Sequence, residues 1–238
     1  LKNIKKSEVA EYFKQYYSPN NAVIVAVGDI NPDEVINLVE RYFGDIPSQP
    51  PSPKVTTEEP EQMGERRVYV EYDANPVLLI AYHKPAIGHP DQYVFDVIEA
   101  ILSSGRTSRL YQNLIEDKRI ATMAQAYGGP SKFADTFLFF STPRNPHTAE
   151  EVEGAIYEEL EKLKTTPVPD RELQKIKNQL EADFVRGLES ASGLADKIAS
   201  YEAIYGWSYI NTIVENTLSV TPEDIMRVAI KYFTKTNR

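Results

Sequence analysis

The chain has 238 residues, 42% of them apolar and 26% charged, enough to bury a sizeable core as one large domain or one and a half smaller ones. A balance of 26 Lys and Arg against 35 Asp and Glu gives −9, which argues against nucleic acid or anionic lipid as partner. Zero Cys excludes a disulfide framework, thiolate catalysis and Cys-bound zinc, and leaves exported (periplasmic) and cytoplasmic locations equally open. No stretch approaches the roughly 20 apolar residues of a membrane span, and Leu1–Lys6 does not read as a signal peptide.

The first segment reads helix, strand, helix. Ser7 is the expected cap of a helix whose apolar face is Val9, Tyr12, Phe13 and Tyr16, stopped by Pro19. Ala22–Val27 is an all-apolar run ending at Gly28, the pattern of a strand covered on both faces. Asn31-Pro32-Asp33-Glu34 then supplies a cap, a Pro at the first helical position and early acidic residues. Val35, Leu38, Val39 and Tyr42 line that helix, and Gly44 ends it. Five of the 16 prolines fall between Pro47 and Pro60, so residues 48–65 read as an extended linker at a domain boundary.

Past the linker, Arg67–Tyr72 alternates as a half-buried strand would, and Asp73–Pro76 turns the chain into a second strand, Val77–His83. Val94, Val97, Ile98, Ile101 and Leu102 form a buried helix face. A short helix near Ser108–Glu116 leads to strands at Ala121–Ala126 and Thr136–Ser141. Thr148 with Glu151 caps a helix to about Lys164, Asp170 opens a long one, and further helices run to Phe233. Strands first and helices later predict an α+β fold, with helices on one face of a mainly antiparallel sheet.

One internal repeat stands out. Ile4–Asn21 aligns without gaps on Val220–Asn237, an offset of 216 residues, with Tyr16/Tyr232 and Asn21/Asn237 identical. An offset the size of a domain points to duplication. A strand follows Asn21 at once, whereas Arg238 is the last residue here, so the sequence reads as the tail of one domain and most of the next.

Chemistry-bearing motifs are scarce. His83, His89 and His147 are the three histidines, and no two stand four apart as a helical zinc motif requires. Ser103–Arg109 lacks the glycine and lysine spacing of a phosphate loop and reads as a helix-to-helix connection, with Arg109 paired to a nearby Glu. No Gly-x-Ser-x-Gly elbow exists, and Glu181, Asp183 and Glu189 alternate with Lys175, Lys177 and Arg186 as a solvated helix face does. From the residues alone, no catalytic or metal constellation is expected.

Tyr16-Tyr17-Ser18-Pro19-Asn20-Asn21 with the apolar run and Gly28-Asp29 resembles a signature of the pitrilysin/insulinase family of zinc metallopeptidases. Ser104-Gly105, Ser108-Arg109-Leu110-Tyr111, Gly187-Leu188-Glu189-Ser190, Tyr201-Glu202 and Tyr205-Gly206 resemble later elements of that family, in order along the whole chain. The resemblance implies the processing-peptidase-like metallohydrolase fold, in which each half-molecule holds two similar domains. Residues 1–47 would end the first, metal-binding domain, and 66–238 would form the non-catalytic second one, truncated before its last strand. The inverted zinc motif H-x-x-E-H would lie upstream, so zinc is expected in the missing domain and no cofactor in this fragment.

By the same resemblance, the family's Arg/Tyr pair falls on Ile115 and Thr122, neither of which can donate in the same way. That assigns the chain to the zinc-bearing half. Ser103–Thr107 is also far shorter than the glycine-rich loop of the processing peptidases. The expected partners are the other half of the peptidase and an unfolded peptide substrate, with Leu79, Ala81, Tyr82, Arg106 and Arg109 as candidates facing the substrate chamber. The alternative function is an assembly scaffold of the same fold without peptidase activity. Having lost its sheet, Ala22–Val27 is expected either to pack on the second domain or to form a homodimer through residues 1–46.

Overall fold

The computed structural model describes residues 3–238; Leu1 and Lys2, the first residues of the expected tail, lie outside it. The chain separates into two compact units, one running to Pro60 and including Gly187–Ser208, the other comprising Glu61–Arg186 and Tyr209–Arg238. No helix among the described residues is long and apolar enough to cross a membrane.

The first unit is helical. Helix α1 (Lys6–Tyr16) starts two residues earlier than its sequence suggests: Glu8 reaches back to accept the backbone N–H of Lys5 at 2.8 Å, and Ser7 sits inside the first turn. A 3₁₀ turn, Pro19–Asn21, follows. Helix α2 (Pro32–Phe43) is capped as expected, with Asn31 Oδ1 accepting the N–H of Asp33 at 3.0 Å. Asn20 ties the chain after α2 back to α1 by paired bonds with the Gln49 backbone, at 2.9 and 3.1 Å. The expected strand Ala22–Val27 does not form: the segment is extended but has no ladder partner, and Val23 and Ile24 are exposed. A strand is a relation between two segments, and its hydrogen-bonding groups find no neighbour here.

The second unit has one three-stranded antiparallel sheet, β1 (Leu78–Lys84), β2 (Ala121–Tyr127) and β3 (Asp135–Pro143), in the order β1-β3-β2. Ile80 faces Phe139 and Tyr82 faces Phe137 across one pair; Ala126 faces Phe139 across the other. The expected strand at Arg67–Tyr72 is absent, and Val68, Tyr69, Val70 and Tyr72 stand in solvent. Its turn begins, with Ala74 donating to the Tyr72 carbonyl at 2.8 Å, but no backbone bond joins 68–72 to β1 among the described residues.

Helices α3 (Asp91–Ser103), α4 (Ala149–Thr165) and α8 (Pro222–Tyr232) pack on one face of this sheet, giving the α+β architecture that the element order predicts. Each has a sequence reason. The apolar face of α3 is wholly buried at Val94, Val97, Ile98, Ile101 and Leu102. Thr148 caps α4 by accepting from the N–H of Glu151, and Thr221 with Asp224 makes a reciprocal capping box at α8. Between sheet and helices lies an aromatic cluster in which Phe95, Phe137, Phe139, Phe233 and Tyr82 meet with centroids 5.1–6.2 Å apart, mostly edge to face. The remaining helices are α5 (Asp170–Leu188), α6 (Ala191–Ile204) and α7 (Ile210–Ser219).

Candidate functional site

Alternation along β1 sorts the candidate residues onto two faces. Ile80, Tyr82 and Lys84 point toward the helices; Leu79, Ala81 and His83 point away. On the outward face the register builds two rows, Leu79–Phe140–Gln125 and Ala81–Leu138–Tyr127. Leu79 is 60% exposed, and Ala81, Leu138 and Phe140 are half-buried. This apolar face, with the Gln125 amide accepting from the Tyr127 hydroxyl at its rim, offers an extended apolar chain non-directional contact. Tyr82, by contrast, is 1% exposed and edge-on to Phe139 and Phe233, so its side chain belongs to the core.

The Ser103–Arg109 loop holds the other two candidates apart. Arg106 is exposed, and its carbonyl accepts from the Gln112 side chain at 2.6 Å. Arg109 grips Glu172 of α5 through Nε and Nη2 at 2.8 and 2.7 Å, the paired-Glu arrangement that its sequence context suggests. That fork raises the pKa of Arg109 still further and leaves it a tether between loop and helix. Gly105, at φ +72°, takes the left-handed turn that lets Ser108 cap back onto its carbonyl at 2.8 Å.

Ile115 and Thr122 both sit at backbone irregularities. Ile115 lies on a single π-helical segment, Tyr111–Asp117, closed by Lys118 N–H to Asn113 O at 2.9 Å. The β2–β3 register slips between Ala121 and Met123, so Thr122 is the extra residue of a bulge, with its hydroxyl on the Thr142 carbonyl at 3.2 Å.

A buried polar knot at the end of the sheet escaped the sequence reading. Lys84 Nζ donates to Gln92 Oε1 at 2.8 Å; Gln92 Nε2 donates to Asp96 at 2.8 Å and to the Gly128 carbonyl at 2.9 Å. Glu99 accepts the Gly128 N–H at 2.6 Å. Burial pushes the Asp96 carboxyl up to about 7, raises that of Glu99 and lowers the Lys84 ammonium. The available signals were Lys84 at an inward strand position and Asp96 and Glu99 three apart within an apolar helix.

The donor set does not fit zinc. His83 Nδ1 contacts Asn237 at 3.1 Å, His89 accepts from the Asp91 N–H at 3.0 Å, and His147 pairs with Glu151 at 2.7 Å, each in a different place. Among the described residues no group of three or more His, Asp or Glu could hold a metal ion.

Residues 3–180 match the family described as the peptidase M16 inactive domain. The chain is 31% identical over 240 residues to the zinc protease PqqE of Helicobacter pylori, covering 99% of this chain and 53% of that protein. It is 24% identical over 237 residues to the zinc protease YmxG of Bacillus subtilis, covering 99% of this chain and 57% of that protein. A crystal structure of a protease from Helicobacter pylori superimposes with a TM-score of 0.92 at 30% identity, over 99% of this chain and 58% of the other. The chain thus spans about half the length of the curated relatives it matches.

Proposed function

The chain belongs to the peptidase M16 inactive-domain family of the pitrilysin/insulinase group, and on that premise we propose that it is the non-catalytic part of a zinc-dependent endopeptidase half. In this reading, residues 1–47 belong to the preceding, metal-binding domain, 48–65 link, and 66–238 belong to the second domain. The zinc and its ligands belong to the preceding domain; the second domain supplies chamber wall and half-to-half interface around an unfolded peptide. Leu79 and Ala81 on the open sheet face are the wall candidates, whereas Arg109 serves to hold the loop. Ile115 and Thr122, where the family's Arg/Tyr pair would fall, support the reading that the chain belongs to the half that carries zinc. In the isolated chain, residues 1–46 are the part that seeks a second copy.

One observation carries this reading. Helix α1 and its 3₁₀ turn recur as α8 and Lys235–Asn237 with every boundary displaced by the same 216 residues. Yet Val9 and Tyr17 are 56% and 66% exposed where Ile225 and Phe233 are 0% and 2%. Helix α1 has the face of a domain's closing helix without the sheet that α8 rests on.

Zinc content by atomic absorption, beside cleavage of an unstructured fluorogenic peptide, tests it. No metal and no turnover is expected from this chain. Stoichiometric zinc with chelator-sensitive cleavage would overturn the assignment.

A further inference from the structure

A groove of about 370 Å³ runs along α4 inside the second unit. On α4 it is lined by Glu150, Glu151, Gly154, Ala155 and Glu158, which share one helical stripe; Lys118, Ile120 and His147 form the facing wall. The floor is apolar and closed, with Ile120 8% and Ala155 3% exposed. At its middle stands Gly154, where an added Cβ would meet nothing within 4 Å. Glycine is unfavourable inside a helix relative to alanine, so the space above it is kept open against local propensity.

The wall is fixed by backbone bonds. Ile120 donates its N–H to the Leu114 carbonyl at 3.0 Å and accepts the Arg144 N–H at 2.8 Å, and His147 donates to the Arg144 carbonyl at 2.7 Å. Two of the three rim carboxylates are engaged. Lys118 pairs with Glu158 at one end, and His147 Nδ1 meets Glu151 at 2.7 Å toward the other. The Glu150 carboxylate has no partner among the described residues.

We propose that this groove is a subsite for a cationic side chain, the Lys or Arg of a bound peptide. The methylene stem lies over Gly154 against Ile120 and Ala155, and the charged head reaches Glu150. From Glu150 to Glu158 the helix rises about 12 Å, room enough for an extended Arg side chain. The net charge of −9 favours encounter with a basic peptide. A single exposed ion pair contributes little, so recognition depends on the apolar floor and the open carboxylate together. The inference does not rest on the chamber reading above, because it requires neither zinc nor a partner half.

The measurement is a ¹H–¹⁵N NMR titration of the 238-residue chain with the peptide Ac-Gly-Ala-Arg-Ala-Gly-NH₂, beside the same peptide carrying citrulline, which keeps the shape and loses the charge. Saturable shifts are expected at the amides of Lys118, Ile120, Gly154 and Ala155, with the citrulline peptide binding about three- to fivefold more weakly. Glu150→Gln weakens the arginyl peptide by a similar factor and leaves the melting temperature unchanged, since that side chain is exposed. Gly154→Leu fills the groove with a better helix former and abolishes binding without lowering the melting temperature. No saturable shift at these amides, equal affinity for the two peptides, or binding that survives Gly154→Leu overturns the proposal.

Discussion

Asn21 and Asn237 make the same bond 216 residues apart: each side-chain amide donates to the carbonyl of the tyrosine five residues before it, Tyr16 and Tyr232, at 2.8 Å. The local fold of the two segments is therefore the same, and what differs is what lies beneath them. Asn237 also donates to His83 of β1, whereas no strand underlies Asn21 among the described residues.

This difference sets the cost of truncating the two equivalent aromatic residues. Phe233→Ala removes a ring packed against Tyr82, Phe95, Phe137 and Phe139, and a loss of about 3–5 kcal/mol is expected. Tyr17→Ala at the matching position removes an exposed ring stacked only on Phe13, with an expected loss under about 1 kcal/mol. Urea denaturation of both variants checks the pair; equal losses would contradict the unequal support of α1 and α8.

Asp96 makes stability fall as pH rises. Its folded pKa, pushed up to about 7 by burial, lies above the ordinary aspartate value of 3.8, so between those values the folded chain binds more protons than the unfolded one. The folded state is accordingly penalised progressively from about pH 4 to 7 and fully above that, by up to about 4 kcal/mol. Asp96→Asn keeps an acceptor for Gln92 and removes the titration. Its melting temperature should exceed that of the parent chain at pH 8 and match it near pH 4.

Glu153 behaves oppositely. The Arg67 guanidinium holds its carboxyl below the usual range, assisted by the Tyr157 hydroxyl, so its contribution is present above the unfolded pKa near 4.5 and is lost on acidification through the folded value. Glu153→Gln should release residues 61–67 from α4. Hydrogen exchange there is expected to rise several-fold, while exchange in β2 and β3 stays unchanged.

Gly128 is required by packing. A Cβ at this position would lie 2.3 Å from a ring carbon of Phe137, inside the core, and the same residue bonds Glu99 and Gln92 through its backbone. Gly128→Ala should cost about 1–3 kcal/mol by overpacking and loosen the polar knot. Gly129, one residue on, has open space around it, so Gly129→Ala should be near neutral in the same thermal melt.

Much of the fold was legible because it is written in local patterns. The cap at Asn31, the cap at Thr148 and the apolar face of α3 each require only neighbouring residues, and each formed where expected. Ser7 misled because Glu8 can serve a cap at Lys5, two residues earlier, a choice between two adequate local solutions. The site was legible in part. Leu79 and Ala81 fall on the open face by simple alternation, and the same alternation carries Tyr82 inward.

By itself the sequence determined most of the helices, the α+β class, the family resemblance and an internal repeat accurate to the residue, since all of these depend on spacing along one chain. Tertiary structure alone decided which apolar runs become strands. Ala22–Val27 and Arg67–Tyr72 have strand patterns as good as that of β3, but a ladder needs a second backbone at about 4.8 Å, and neither segment has one. It also decided the polar knot, whose members lie on β1, α3 and the β2–β3 connection. Low-dielectric contact between groups far apart in sequence shifts their protonation, and no pattern along the chain encodes that distance.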